Sequence, residues 1–113
     1  MKRGEIYFAE LDPTRGSEVQ KTRPVIIVSN DASNRVAPML TVVPMTSNIT
    51  RVFSFEVLLT ALDTGLKRDG KAMTQQIRTL DKERILGRCQ GTVSAQKMQL
   101  LEIALKRHLA FLK

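Results

Sequence analysis

The segment that decides the fold runs from Arg23 to Ser29 and reads Arg-Pro-Val-Ile-Ile-Val-Ser. Its central residues are all β-branched and apolar, which predicts a strand that is buried on both faces. Pro24 disfavours the α region for the residue before it, so we expect Arg23 to be extended, at the point where a loop meets the strand. A guanidinium fixed at such a junction suits recognition of a phosphate group.

The segments that flank this strand predict another strand, a loop and a short helix. Gly4 to Leu11 alternates in part between apolar and polar residues, as an opening strand does. Asp12 to Thr22 has no hydrophobic periodicity and contains Gly16, which indicates a long, mobile loop. After the strand, Asn30 to Asn34 offers cap residues for a short helix, and Pro38 would end it.

The second half of the chain repeats short strand patterns between turns. The predicted strands cover Met39 to Val43, ending at Pro44, then Val52 to Leu59, Lys71 to Leu80 and Gly87 to Val93. One or two helical turns are predicted over Asp81 to Leu86, and a terminal helix with a Ser94 cap carries a stripe of Met98, Leu101, Leu105 and Leu112. Many short strands with few helices between them predict a small, strongly bent sheet or barrel with helices attached.

The composition predicts a single domain with an anionic partner. A chain of 113 residues can build one compact core, so we expect one domain over residues 1–113. Lysine and arginine number 18 against 11 acidic residues, which gives a net charge of +7 and an isoelectric point near 10.1. Nucleic acid, an acidic protein and an anionic membrane surface all fit that charge. Without a transmembrane or signal-peptide pattern, and with the single Cys89, the sequence predicts a cytoplasmic protein with no membrane partner.

Two side chains are candidates for chemistry on a phosphate. Arg23 can hold two phosphate oxygens and stabilise charge that grows in a transition state, although a solvated surface arginine is the plainer interpretation. Thr46 can donate to a phosphoryl oxygen, although a half-exposed strand threonine is the plainer interpretation from the residues alone. One histidine, His108, and no cluster of His, Cys or carboxylate ligands predict that neither a metal nor a cofactor is used.

Four motifs together resemble one protein family. They are Gly4-Glu5-Ile6-Tyr7, the turn-rich segment from Asp12 to Glu18, Lys21-Thr22-Arg23-Pro24 with its strand, and Val43-Pro44-Met45-Thr46-Ser47. Through most of its length the chain resembles the MazF/PemK (Kid) family of toxin endoribonucleases. The resemblance implies a mainly β (α+β) fold, a small SH3-like barrel of the PemK/CcdB type with a C-terminal helix, and usually a homodimer.

The resemblance also implies metal-independent, sequence-specific cleavage of single-stranded RNA. Arg23 and Thr46 match the catalytic arginine and threonine of the family's motifs. RNA carries its own nucleophile, the 2′-hydroxyl, so such an enzyme aligns that group, neutralises the phosphorane and leaves a 2′,3′-cyclic phosphate and a 5′-hydroxyl. The implied RNA-binding residues are Thr14, Gly16, Ser17, Glu18, Gln20, Lys21, Ser47, Asn48, Gln75, Gln76 and Arg78.

The chain departs from part of the family just after Lys71. Where the plasmid-encoded Kid branch has an Arg-x-Asp pair, this sequence has Met73-Thr74-Gln75. The groups that move the two protons are therefore left unassigned. From the residues alone, Gln75 fits an exposed polar strand face as well as it fits recognition of a base.

The resemblance implies a protein partner too, an acidic MazE-like antitoxin peptide that neutralises the toxin. A groove that holds a polyanion also suits an acidic, largely disordered peptide. Two alternatives stay open from the sequence. One is a non-catalytic, basic nucleic-acid-binding module of SH3-like shape, whose charge and loops would be the same. The other is a gyrase poison of the CcdB type, which is disfavoured because this chain has no Trp.

Overall fold

The computed structural model describes residues 1–18 and 21–111. Its strands are β1 (Glu5–Glu10), β2 (Thr22–Ile27), β3 (Met39–Thr46), β4 (Val57–Leu59), β5 (Gly70–Ala72), β6 (Arg78–Asp81) and β7 (Ile85–Thr92). Its helices are α1 (Asp31–Val36), α2 (Ala61–Thr64) and α3 (Ala95–His108), with 3₁₀ turns at Thr74–Gln76 and Lys82–Arg84. No helix in these ranges is long and apolar enough to span a membrane.

The strands form one antiparallel sheet in the order β4-β5-β3-β2-β1-β7, and β6 also pairs with β3. β3 is the central strand, with β2 along one edge and β6 followed by β5 along the other. The predicted mainly β fold with short helices and a C-terminal helix is confirmed. In the described part of the chain the sheet is open, and β4 and β7 lie at its two ends.

The prediction that the third strand stops at Pro44 is wrong, because β3 continues to Thr46. Pairing with β6 ends at Val42, and pairing with β5 begins at Met45. Pro44 therefore lies where β3 changes partner along that edge, and its missing N–H removes no bond to β5 or β6. Its carbonyl still accepts a hydrogen bond of 2.9 Å from the backbone N–H of Met73.

Two other predicted strands are shorter or interrupted. Of Val52 to Leu59, only Val57–Leu59 is a strand, because residues 53–56 form a turn. The predicted strand from Lys71 to Leu80 is broken by the 3₁₀ turn at Thr74–Gln76. The register gives the reason: Ala72 lies opposite Met45, so an unbroken strand would place residue 75 opposite Val42, where Arg78 is found. The turn takes up the three additional residues.

The sheet has a hydrophobic cluster on each face. The cluster beneath α3 includes Ile6, Ile26, Val43, Met45, Leu59, Val93, Met98 and Leu101. The cluster on the opposite face includes Tyr7, Ala9, Leu11, Val25, Ile27, Leu40, Val42 and Leu80. Successive residues of β2 alternate between the two clusters, which confirms that this strand is buried on both faces.

The terminal helix has the predicted cap and most of the predicted stripe. The Ser94 hydroxyl accepts a hydrogen bond of 3.3 Å from the backbone N–H of Lys97. Met98 and Leu101 are buried and Leu105 is half-buried against the same cluster, whereas Leu112 lies outside the described residues. Because hydrophobic clusters occupy both faces of the sheet, a polar site is left to the strand ends.

Candidate active site

The two predicted catalytic residues lie side by side at one end of the sheet. The β2–β3 pairing begins with Val25 opposite Pro44, and Arg23 and Thr46 each lie two residues beyond that pair. Arg23 Nη1 donates to Thr46 Oγ1 at 3.4 Å, and both residues are half-buried. The geometry therefore unites two side chains that are 23 positions apart in the sequence.

The hydroxyl of Thr46 is oriented by its neighbours. Besides the bond from Arg23, Thr46 Oγ1 accepts a hydrogen bond of 3.2 Å from the backbone N–H of Asn48. A hydroxyl has two lone pairs and one proton, so an oxygen that accepts twice keeps its proton for donation. The arrangement can place an O–H and a guanidinium against the same anionic oxygen or pair of oxygens.

A cleft of about 600 Å³ opens beside this pair. Thr46, Ser47 and Arg23 line it, together with the segment from Gly65 to Gly70. That segment brings Lys67 and Arg68 to the cleft, both exposed, with Asp69 as the single acidic lining residue among the described side chains. The cleft thus carries a net positive charge, which suits a polyanion. Sequence reasoning treated this basic pair as part of a turn and missed it.

The other predicted RNA-binding residues fall into two groups. Ser47 lines the cleft, and Asn48 follows it and bonds to Thr46. Gln76 and Arg78 lie further along the sheet, where they contact the loop after β1: Gln76 Nε2 donates to the Ser17 carbonyl at 3.1 Å. Arg78 Nη1 donates to the carbonyl of Leu11, the residue before that loop, at 3.2 Å.

Of the described residues of the predicted loop, Thr22 is the first residue of β2 and lines the cleft, whereas residues 12–18 and Lys21 do not. Of its predicted RNA contacts, Thr14 is half-buried, Gly16, Ser17 and Glu18 are exposed, and Lys21 has a left-handed backbone (φ 67°). Gln20 lies outside the described residues. The backbone N–H of Leu11 donates to the Lys21 carbonyl at 3.0 Å, which closes the base of the loop. The absence of periodicity predicted the loop, and its described part, residues 12–18, has no strand or helix.

Gln75 belongs to a buried polar network that the sequence did not indicate. Its centre is Glu56, which is only 7% exposed. Glu56 Oε1 accepts from Lys71 Nζ at 2.8 Å and from the backbone N–H of Phe53 at 3.0 Å, and Glu56 Oε2 accepts from Gln75 Nε2 at 3.0 Å. Burial acts to raise the pKa of Glu56, but these hydrogen bonds outweigh it and hold the pKa below its ordinary value. Glu56 is therefore a carboxylate at neutral pH.

The turn that Glu56 closes also presents two aromatic rings. Phe53 and Phe55 stack with their ring centroids 5.2 Å apart, and they are 37% and 40% exposed. The guanidinium of Arg51 lies 4.3 Å from the centre of the Phe53 ring. Exposed aromatic and guanidinium faces of this kind stack on unpaired bases.

The remaining reactive side chains lie away from the cleft. Cys89 is half-buried, and its thiol donates to the carbonyl of Gly91 at 3.2 Å. His108 is exposed at the end of α3. Across residues 1–18 and 21–111, no group of three or more His, Cys, Asp or Glu side chains is arranged to hold a metal ion.

Comparison with known proteins identifies the family. The family model of PemK-like, MazF-like toxins of type II toxin–antitoxin systems matches residues 2–109. The chain belongs to this family. It is 51% identical over 114 residues to the endoribonuclease MazF9 of Mycobacterium tuberculosis, and the match covers 96% of each chain. It is 40% identical over 86 residues to the endoribonuclease EndoA of Bacillus subtilis, covering 75% of this chain and 74% of that protein.

Solved structures of MazF-like toxins have the same fold. A mycobacterial endoribonuclease in complex with its cognate antitoxin superposes with a TM-score of 0.80 at 25% identity, over 100% of this chain and 98% of that one. MazF from Deinococcus radiodurans superposes with a TM-score of 0.85 at 24% identity, over 97% and 96% of the two chains. The resemblance stated from the sequence motifs is confirmed.

Proposed function

We propose that this chain is the toxin of a type II toxin–antitoxin pair. It is a sequence-specific, metal-independent endoribonuclease that cleaves single-stranded RNA, and its active site lies where the start of β2 meets the end of β3. The observation that carries the proposal is the contact between Arg23 and Thr46 beside a basic cleft. The relatives that match over most of this chain are endoribonucleases.

The chemistry follows from what RNA brings to the site. The 2′-oxygen attacks the adjacent phosphorus, the bond from phosphorus to the 5′-oxygen breaks, and a 2′,3′-cyclic phosphate and a 5′-hydroxyl result. Arg23 faces the non-bridging oxygens, where negative charge grows, and Thr46 donates its proton to one of them as a hydrogen bond. One proton leaves the 2′-hydroxyl and one reaches the 5′-oxygen.

Single-stranded RNA suits the surroundings of this pair. Lys67 and Arg68, which also line the cleft, can contact phosphates that flank the scissile one. Phe53 and Phe55 do not line the cleft, and their exposed rings offer an unpaired base a place to stack outside it. A non-catalytic binding module, the alternative function, would share the charge and the rings but needs no hydroxyl beside the guanidinium.

The partners proposed for this chain are an acidic antitoxin and a second copy of itself. A mycobacterial relative was solved in complex with its cognate antitoxin. With a net charge of +7, this chain suits the same kind of acidic inhibitor, which we expect to compete with RNA for the cleft. The cellular RNA that such an enzyme cleaves is in the cytoplasm, and we propose that compartment for the toxin.

A cleavage assay with end mapping tests the proposal. Purified protein is incubated in excess EDTA with a long single-stranded RNA and with the same RNA annealed to its complement. We expect cuts at a short recurring motif in the single strand, with cyclic phosphate and 5′-hydroxyl ends, and an intact duplex. Binding without any cut would favour the non-catalytic module, and restoration of cleavage only by added divalent ions would contradict the metal-independent mechanism.

A further inference from the structure

Thr46 has a charged neighbour on each side. The β3–β5 register places Lys71 directly opposite Thr46, and on the other edge of β3 the Arg23 Nη1 donates to Thr46 Oγ1 at 3.4 Å. Residues opposite each other in a sheet point to the same face, and adjacent strands are about 4.8 Å apart. The three side chains therefore form a row, with the Cα atoms of the two cations about 10 Å apart and the hydroxyl between them.

The ammonium of Lys71 is held in a fixed place. Lys71 Nζ donates to Glu56 Oε1 at 2.8 Å and to the backbone carbonyl of Arg51 at 2.7 Å. The side chain of Lys71 is 11% exposed and that of Glu56 is 1% exposed. An ammonium has three protons, and these two acceptors take two of them. The ammonium also lies 5.5 Å from the centre of the Phe53 ring, a weaker contact that a phosphoryl oxygen can replace.

Stability alone is a poor explanation for this pair. Burying two charges costs more free energy than burying an apolar pair of similar volume, so a buried ion pair seldom stabilises a fold. The network also leaves a group unsatisfied. The bond from Gln75 Nε2 to the carboxylate fixes the orientation of the amide, and Gln75 Oε1 is then buried without a hydrogen-bond partner in the described structure. A buried ion pair whose network leaves an acceptor unsatisfied costs the fold free energy, which points to a role other than stability.

We infer that Lys71 binds a phosphoryl oxygen of the RNA at the cleavage site, and that Glu56 is the positioning residue that holds it beside Thr46. This inference rests on the proposed function and adds to it a second cation, which neither the sequence motifs nor the contact between Arg23 and Thr46 indicated. The phosphorane carries one more negative charge than the phosphodiester. Two cations on the strands that flank Thr46, with their Cα atoms about 10 Å apart, stabilise that additional charge better than one. Lys71 transfers no proton in this role.

The test uses a double variant that removes both charges together. Lys71→Met/Glu56→Gln leaves no unpaired buried charge, and the amide oxygen introduced by Glu56→Gln can still accept from the N–H of Phe53. We expect kcat on a short RNA with the mapped cleavage site to fall roughly 100-fold, the range for loss of one transition-state donor, with KM changed less than about threefold. The double variant leaves the net charge of the chain unchanged, and Lys106→Met, which removes an exposed lysine of α3, is the control for replacing a lysine elsewhere in the chain.

A second readout separates contact from folding. Sulfur is substituted for each non-bridging oxygen of the scissile phosphate in turn, and the slowing is compared between wild type and variants. We expect one of the two sulfur substitutions to slow the wild type but to add nothing in the double variant, because the contact is already absent. Glu56→Gln alone should weaken the same sulfur effect in part, since Lys71 keeps its charge but loses its anchor.

The outcomes distinguish this inference from the function on which it rests. A wild type that cuts and a folded double variant that cuts at the same rate would overturn the role of Lys71 and leave the endoribonuclease intact. Equal sulfur effects in wild type and double variant would also overturn it. A wild type that cuts no RNA would overturn the proposed function, and this inference with it.

Discussion

Two cations flank the hydroxyl of Thr46, and the structure places them by different means. Arg23 is placed by the backbone, since Pro24 and the register of β2 determine where its side chain starts, and it contacts a neutral hydroxyl. Lys71 is placed by a buried carboxylate, Glu56, and by a backbone carbonyl. Loss of Arg23 should therefore slow RNA cleavage, whereas loss of Lys71 should slow cleavage and also lower the stability of the fold.

The largest expected effect comes from Arg23, which the backbone places, and from Thr46 beside it. Arg23→Ala and Thr46→Ala should each lower kcat/KM for single-stranded RNA roughly 100-fold or more, because each removes a donor aimed at the growing charge. The two losses should be less than additive in the double variant, since the residues contact each other. Cleavage rates measured under single-turnover conditions check both statements.

The control for this prediction is a matched surface arginine. Arg35 is exposed on α1 and lies outside the cleft, so Arg35→Ala removes the same charge and should retain near wild-type cleavage. Circular dichroism and thermal melting of Arg23→Ala should match the wild type. A folded Arg23→Ala protein that cuts at the wild-type rate would remove the proposed site.

The next effect concerns the stability of the fold, in which Lys71 and Arg23 should differ. Lys71→Met alone leaves the carboxylate of Glu56 buried without its cation, which should lower the free energy of unfolding by about 3 kcal/mol. The double variant Lys71→Met/Glu56→Gln should recover most of that loss, because no unpaired charge remains. Urea unfolding of the wild type, the single and the double variant measures both. A double variant that is no more stable than the single would show that the pair is not coupled through charge.

The two cations also differ in how far the sequence predicts them. Arg23 was predicted as an extended residue at a loop–strand junction because Pro24 restricts its backbone, and its contact with Thr46 was not needed for that prediction. Lys71 and Glu56 are 15 positions apart, and the residues between them include α2 and the Gly65–Gly70 segment. No periodicity links them, so their pairing becomes visible only when β4 and β5 are aligned.

The same distinction explains the errors in the strands. Burial of β2 on both faces follows from four local residues, Val25 to Val28, and could be predicted. The continuation of β3 through Pro44 depends on which strand it pairs with on each side, and the 3₁₀ turn at Thr74–Gln76 depends on a register difference of three residues. Such features belong to the pairing of distant segments, which a local pattern does not contain.

A smaller effect on stability should appear at low pH, and it again concerns the buried pair of Lys71 and Glu56. The pKa of Glu56 lies below its ordinary value of 4.5 in the folded chain, because hydrogen bonds from Lys71, Gln75 and the Phe53 N–H outweigh the effect of burial. Its charge therefore contributes stability that is fully present above the ordinary value and is lost as pH falls through the folded pKa. Glu56→Gln lacks this contribution.

The measurement is the free energy of unfolding in urea between about pH 7 and about pH 3.5, for the wild type and for Glu56→Gln. The wild type should lose more stability than the variant over the acid part of this range. Asp31 and Asp63, whose pKa values are also lowered, are present in both proteins and cancel in the difference. Identical pH dependence in the two proteins would contradict a charged, hydrogen-bonded Glu56.

The smallest effect is expected from Lys67 and Arg68, two exposed basic residues that line the cleft. Lys67 and Arg68 are exposed and hydrated, so their contacts to flanking phosphates should be equally strong in the ground state and in the transition state. Lys67→Met and Arg68→Met should each raise KM only about two- to fivefold at moderate salt, with kcat unchanged.

Binding of an uncleavable 2′-O-methyl RNA at several salt concentrations gives the sharper check. Each variant should reduce the slope of log affinity against log salt by about 0.7, the value for one phosphate contact on a single strand, whereas Lys106→Met should leave it nearly unchanged. A lower kcat with an unchanged salt slope would instead place these side chains at the scissile phosphate, beside Arg23 and Lys71.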